Sequence, residues 1–313
     1  MENIKIFTNE SDYAAAGLPA TESRVALVES DHGLKYDGVN VEVSMPKPGD
    51  SIYRDAAGDV HFVTKESVRT ALLPSGWVFI DLYYYGWSDE PFVDMGLPSG
   101  LLWGKCDIDV TKASKMCDTP YTNQKSFFSW GNVDGHNPVN NSFVNVYNWG
   151  GVNAQDPWYE GQPYGSTPGA ALEASFAADS GRDAARENVG SPWRMPTNAN
   201  HAELFANIDY INAEGEIVTA ATSIAKTAAD KRVYVNGVAG LYLRSKINGK
   251  RLFFACSGYG YGTSWSNRGS LGYYWSSSFL SARGARCLNF DSGGVSPQIN
   301  NNRYYGFAVR PVQ

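Results

Sequence analysis

Four cysteines and four histidines are the residues of this chain best suited to metal binding or nucleophilic chemistry, and their spacing suits neither. Cys106, Cys117, Cys256 and Cys287 form no C-x-x-C pair, and His32, His61, His136 and His201 lie near no Cys in sequence. A structural zinc site is therefore not expected, and the better reading is free, mostly buried thiols. The chain contains no G-x-S-x-G elbow, P-loop, H-E-x-x-H helix or dinucleotide-binding glycine fingerprint. The Gly-rich run Gly258-Tyr259-Gly260-Tyr261-Gly262 lacks the Lys and Ser/Thr of a phosphate loop and reads as a flexible aromatic loop. Asp31-His32 reads as a solvated turn, and Asp81, Asp89 and Asp94 cannot be paired. Nothing demands an enzyme, a cofactor or a metal.

The chemistry that does stand out is that of recognition. From Leu252 to Gln313 there is no Lys, no Glu and one acidic residue, Asp291, while Ser, Gly, Tyr, Asn and Arg dominate. Antibody binding loops have this composition. Tyr offers large contact area at low rotamer-entropy cost, and Ser, Gly and Asn offer adaptable hydrogen bonding. Depletion of Lys and Glu also marks interface cores.

The elements that must position these residues fall in two parts. Over 313 residues, 43% are hydrophobic and only 19% charged, with 32 Gly, 19 Tyr and 9 Trp. That favours loop-rich β structure over helical bundles. Apolar alternations at 25–30, 36–44, 59–64 and 77–85, separated by Pro and Gly turns, predict a small β domain over 1–90, with one short helix over 64–73. The pattern breaks at 87–91. From there to residue 313 the segments 182–189 and 198–209 read as helices, the second capped by Asn198 with Leu204, Phe205 and Ile208 on one face. Asn236-Gly237 and Asn248-Gly249 predict two-residue hairpin turns. The net charge of −6 argues against nucleic acid as a partner. No segment is apolar enough for membrane insertion, and the charged opening MENIKIFTNESDY is no secretory signal, so folding in the cytosol is expected.

Several segments carry a resemblance. SPWRMPT (191–197), LFFACSGYG (252–260), YYWSSSF (273–279) and YGFAVRPV (305–312) resemble the variable proteins of diversity-generating retroelements. LPSGLLWGKCDID (97–109) and SFFSWGNVDGHNP (126–138) look like the Bacteroides-phage and gut-bacterial branch of that family. The resemblance covers roughly 92–313 and implies a C-type lectin fold of the formylglycine-generating-enzyme subtype. The expected class is thus α+β: a C-type lectin-like ligand-binding domain over 91–313, with its variable region at about 257–313, behind a small, mainly β attachment domain. No lectin-type calcium motif is present, and no reactive cysteine pair carries over from the enzymes.

In that family, template adenines are misread, so Asn codons become NNY codons at isolated positions within a constant sequence. The resemblance implies that Tyr259, Tyr261, Ser266, Leu271, Tyr273, Leu280, Gly284, Cys287, Asp291, Ser296, Ile299 and Tyr305 are variable ligand-contacting positions. All are residues that NNY codons encode. Asn267, Asn289, Asn300, Asn301 and Asn302 are either structural or variable positions that kept the template residue. Tolerated substitutions belong on the surface, so Cys287 should be an exposed free thiol. Trp265, Trp275, Phe279, Leu288, Phe290, Phe307 and Val309 should face the core, and Gly293-Gly294 should turn tightly.

The expected function is a receptor-binding protein of a phage or prophage that binds a protein or glycan on a bacterial surface. The apolar variable residues favour protein, and the expected location is the virion, or the host cytoplasm before assembly. A face this small implies moderate affinity raised by multivalent display, as in a trimeric fibre. The alternatives are a non-diversified lectin-like adhesin of a gut bacterium and a relative of the formylglycine-generating enzymes.

Overall fold

The computed structural model describes residues 5–7, 25–28, 33–36, 39–44, 51–54, 56–57, 60–63, 78–82, 90–139, 142–143, 181–211, 217–218, 233–235, 237–281, 283–291 and 294–313. These are mostly β-sheet with two short helices. The chain divides into two compact units, Met1–Tyr85 and Gly86–Gln313, slightly upstream of the break read at 87–91.

In the first unit, β1 (Lys5–Phe7), β2 (Val25–Val28), β3 (Gly33–Tyr36) and β4 (Val39–Ser44) form one sheet in that order. β1 and β2 are parallel and the other pairs antiparallel. The run 36–44 is split, because Tyr36 ends one strand and Val39 begins the next. A second sheet has the order β6-β5-β7, from β5 (Ser51–Arg54), β6 (Val60–Val63) and β7 (Val78–Leu82). The helix expected over 64–73 and the turn at Asp31-His32 lie outside the described residues.

The second unit begins with the pair β8 (Phe92–Asp94) and β9 (Leu102–Gly104). Next come β10 (Pro138–Val139), β11 (Ser142–Phe143), helices α1 (Ala184–Val189) and α2 (Asn198–Ala206), β12 (Ile208–Ile211) and β13 (Ile217–Val218). The remaining strands are β14 (Val233–Val235), β15 (Val238–Ser245), β16 (Arg251–Ala255), β17 (Tyr259–Tyr261), β18 (Ser264–Ser266), β19 (Gly272–Phe279), β20 (Gly284–Phe290) and β21 (Val295–Asn302).

Local chemistry sets both helix starts. Asp183 caps α1 by accepting from the Ala185 and Arg186 amides at 2.9 Å, and it also accepts from Met195 N. α2 is capped by Thr197, not Asn198. Thr197 Oγ1 accepts from Asn200 N at 3.1 Å and Asn200 Oδ1 accepts from Thr197 N at 2.9 Å, a reciprocal capping box. Asn198 is already helical and gives its amide to Ser278 Oγ. α2 also ends earlier than its apolar spacing suggests: Asn207 N closes the last turn onto Leu204 O, and Ile208 opens a strand paired with β15.

Val235 pairs with Val238 across a two-residue connection, with Gly237 in the left-handed region at φ 76°. The Asn248-Gly249 turn is longer than expected. Arg244 pairs with Arg251, only Gly249 takes positive φ, and Ser245 Oγ accepts the Ile247 and Asn248 amides. The run 258–262 is no flexible loop, since Tyr259–Tyr261 is a strand paired with β18.

The β19-β20-β21 sheet separates two apolar cores. Tyr274, Leu288 and Phe290 pack on one side with Trp103, Leu204, Phe205, Leu243 and Phe254. Trp275, Ala285 and Cys287 pack on the other with Phe128, Trp130, Met195, Phe307 and Val309. Alternation along a pleated strand produces this division: Tyr274 pairs with Leu288 and Trp275 with Cys287.

The C-terminal segment is tied to both cores. Phe307 bridges Phe128, Ala308 bridges Tyr274, and Val312 bridges Trp103 and Arg194. Arg310 is fully buried, donates to Asp107 Oδ1 and to the Gly104, Lys105 and Phe253 carbonyls, and lies over the Phe254 ring. Asp107 also accepts from buried Lys125. Burial works to raise the Asp107 carboxyl, but the charges and hydrogen bonds of Arg310 and Lys125 outweigh it and hold the carboxyl below its ordinary value. Removing one partner of such a cluster leaves a buried charge uncompensated, at a cost of about 3–5 kcal/mol.

Candidate ligand-binding face

Three chain segments converge beside the Trp275 core. β17 presents Tyr259 and Tyr261, β19 presents Tyr273, and the turn after β21 presents Tyr304 and Tyr305. Phe307 is the floor beneath Tyr259, Tyr273 and Tyr305: fully buried, it stacks on Trp275 at 4.2 Å, on Tyr273 at 4.6 Å and on Tyr305 at 5.9 Å, with Tyr259 edge-on at 6.3 Å. Tyr259 stands edge-on to Tyr273 at 5.4 Å and to Tyr305 at 5.5 Å. Tyr261, Tyr304 and Tyr305 touch one another, with centroids 4.8–6.4 Å apart. Tyr261 is 46% exposed, and Tyr259, Tyr273, Tyr304 and Tyr305 are half-buried. Aromatic pairs of this kind add about 0.5–1.5 kcal/mol beyond their buried area, so the rings hold one another in place.

Backbone contacts fix the three segments. Gly260 and Gly306 exchange both amide hydrogen bonds, at 2.7 and 3.0 Å, joining β17 to the C-terminal segment. Gly258 N donates to Leu271 O. Gly258 has φ 73°, and a Cβ there would run into the Ser266 carbonyl, so only glycine fits. Asn267 also occupies the left-handed region at φ 56°, and its Nδ2 donates to Tyr259 Oη at 3.4 Å.

The register extends the face along the sheet. Tyr273 pairs with Asn289, which pairs with Ser296. Trp275 pairs with Cys287, which pairs with Ile299. Ser296 is exposed and Ile299 is 37% exposed. Ser266 lies opposite Tyr259 and is half-buried. Burial raises the Tyr273 phenol, with Cys287, Tyr259 and Asp291 adding to it. Burial likewise pushes the Tyr305 phenol up, with Tyr304 adding. Both therefore act as neutral donors and acceptors near pH 7, and neither is a base.

The other expected positions lie apart from the rings. Leu280, 37% exposed, and Gly284 sit at the hairpin end of β19 and β20. Gly284 is buried, yet a Cβ there would meet its nearest atoms at 3.4–3.5 Å, an ordinary contact. Half-buried Leu271 and Asp291 adjoin the opposite end. Asp291 Oδ1 accepts from Gly294 N and its amide donates to Gly294 O, closing the β20–β21 turn; Gly293 lies outside the described residues.

Cys287 corrects an expectation. It is fully buried, not an exposed thiol, because it points into the Trp275–Phe307 core. All four cysteines are buried and none is in a disulfide. The aromatic residues expected in the core are buried except Phe279, which is half-buried.

Tyr304 is the contributor that sequence reasoning missed. It follows Arg303 inside a stretch read as constant, and its only signal was the Tyr304-Tyr305 doublet. Among the asparagines, Asn289 Nδ2 donates to Gly272 O and Asn302 Nδ2 to Tyr304 Oη.

No family model, no curated protein and no solved structure matches the chain. Among the described residues no His, Cys, Asp and Glu side chains group as a metal site, and no helix is long and apolar enough to cross a membrane.

Proposed function

We propose that this protein binds a macromolecular ligand through the tyrosine face, as a retroelement-diversified receptor-binding protein of a phage or prophage. The observation that carries the reading is the convergence of Tyr259, Tyr273 and Tyr305 on one aromatic floor, Phe307, with Tyr261 packed against Tyr305. The resemblance implies these residues only as isolated positions scattered along the chain. Chain positions up to 46 residues apart nonetheless meet on one surface. A C-type lectin-like scaffold would present such a face on a fixed core. Ser266, Ser296 and Ile299 extend the contact, and Leu271, Leu280, Gly284 and Asp291 flank it. Cys287 is not a contact.

The ligand is a partly apolar protein surface on a bacterium. Clustered tyrosines beside Ser and Asn make the kind of contact found in antibody paratopes. The protein acts by binding and not by catalysis, since the face holds neutral phenols and amides. Multivalent display, as in a trimer on a virion, raises a moderate intrinsic affinity.

Two measurements test this. The gene should carry NNY codons at the variable positions, with a near-identical, AAY-rich template beside a reverse-transcriptase gene; several NNA or NNG codons there would sink the diversification. Against a panel of intact gut Bacteroides strains, the parent should label a subset of strains. Tyr259→Ala with Tyr305→Ala should abolish that labelling while the thermal midpoint of a folded protein persists. Unchanged labelling would remove the tyrosine face as the binding site.

A further inference from the structure

We infer that Tyr304 is a constant contact residue of the ligand face, an aromatic anchor held in place beside the positions that change. The inference rests on the binding reading above and adds to it a residue that the variable pattern leaves out.

The backbone argument comes first. Tyr305 N donates to Asn302 O at 3.1 Å, closing a turn with Arg303 and Tyr304 at its centre. Arg303 is fully buried. Its amide donates to Arg283 O and its carbonyl accepts from Trp130 N, both at 2.9 Å, and its guanidinium lies over the Trp130 ring. The residue before Tyr304 is thus locked into the core, and the turn cannot swing without breaking those bonds.

The side chain is braced as well. Asn302 Nδ2 donates to Tyr304 Oη at 3.1 Å, and the ring rests 4.8 Å from Tyr305 and 6.4 Å from Tyr261. Tyr304 remains half-exposed. A braced, partly exposed tyrosine loses little conformational freedom on binding, and tyrosine is enriched among residues that dominate binding energy. Tyr261 and Tyr305 are free to change between variants, whereas Tyr304 is bound to a core residue on one side. Each variant would therefore inherit the same aromatic contact and tune specificity around it.

The test needs no knowledge of the natural ligand. Two display libraries of the full chain are built, each randomised at Tyr259, Tyr261, Tyr273, Ser296, Ile299 and Tyr305. One keeps Tyr304 and the other carries Tyr304→Ala; both are panned on lysozyme as an arbitrary protein probe. The library with Tyr304 should yield about tenfold more binders. Its selected clones should lose affinity about tenfold on Tyr304→Ala, as expected of a central aromatic contact, with unchanged thermal midpoints, and Tyr304→Phe should restore most of the loss. Equal yields overturn the anchor, and so does a loss of binding that tracks a lowered thermal midpoint. Binders from neither library would instead overturn the ligand-binding reading itself.

Discussion

Gly284 and Cys287 lie on one strand and should answer oppositely to added atoms. At Gly284 a new Cβ meets Asn301 O, Ser281 Oγ and Leu280 Cδ2 at ordinary contact distance. At Cys287 the side chain is fully enclosed among Trp275, Phe307 and their neighbours. Gly284 is buried, but the added Cβ meets no overlap, so Gly284→Ser should be the milder change, costing less than about 1 kcal/mol. Cys287→Tyr should cost about 1–3 kcal/mol through overpacking. Urea unfolding of the two variants checks this; a Cys287→Tyr protein as stable as the parent would mean that the core beneath the face yields easily. Large side chains at Cys287 are accordingly disfavoured. Spacing between constant segments identified both positions, but it carried no information on depth. Depth is set by what covers that face of the sheet, here Phe128, Trp130 and Phe307 from distant segments.

Helix α2 supports the sheet from the side opposite the ligand face, through Leu204 and Phe205 against Tyr274, Leu288 and Phe290. His201 lies within it, fully buried and stacked on Trp103 at 5.6 Å, with neither ring nitrogen partnered among the described residues. Burial lowers its pKa from 6.5 to about 3. The imidazole is therefore neutral in the fold and readily charged in the unfolded chain. Its contribution to stability is complete above pH 6.5 and is lost as pH falls toward 3, at up to about 1.4 kcal/mol per pH unit. Urea midpoints between pH 7 and pH 4.5 should fall for the parent and flatten for His201→Leu. Equal slopes in both would assign the acid sensitivity to other groups. At this scale much was legible in the sequence. Both described helices of the second unit, the Gly237 hairpin and the strands β2, β4, β6 and β7 followed from periodicity and turn residues. The end of α2 was not legible, because Ile208 continues the helical apolar spacing while its backbone is claimed by β15. The tyrosine cluster was legible only in part. Four of its residues stood out in the sequence, but their meeting depends on Gly260–Gly306 and Phe307–Phe128 pairings across more than 40 residues, which no local pattern encodes.

At the scale of the whole molecule, the charge lies outside the tyrosine face. The chain carries a net charge of −6, yet the face formed by Tyr259, Tyr261, Tyr273, Tyr304, Tyr305, Ser296 and Ile299 has no ionisable group other than its phenols. Asp291, the one acidic residue after Leu252, is occupied in closing its own turn. Arg286 is on β20 but pairs with Asn300 and alternates with Cys287, so it projects from the opposite side of the sheet. Attraction at such a face comes from aromatic area and neutral hydrogen bonds, which salt screens weakly. The net charge, by contrast, acts over a Debye length of about 10 Å at 0.1 M salt and much less above it. Raising sodium chloride from roughly 0.05 M to roughly 0.5 M should speed association with an acidic target, because the repulsion is screened, and should leave the dissociation rate nearly unchanged. Surface plasmon resonance on clones selected for protein binding measures both rates. A dissociation rate that climbs steeply with salt would show that ion pairs hold the complex, with exposed Arg268 and Arg283 as the groups to replace first.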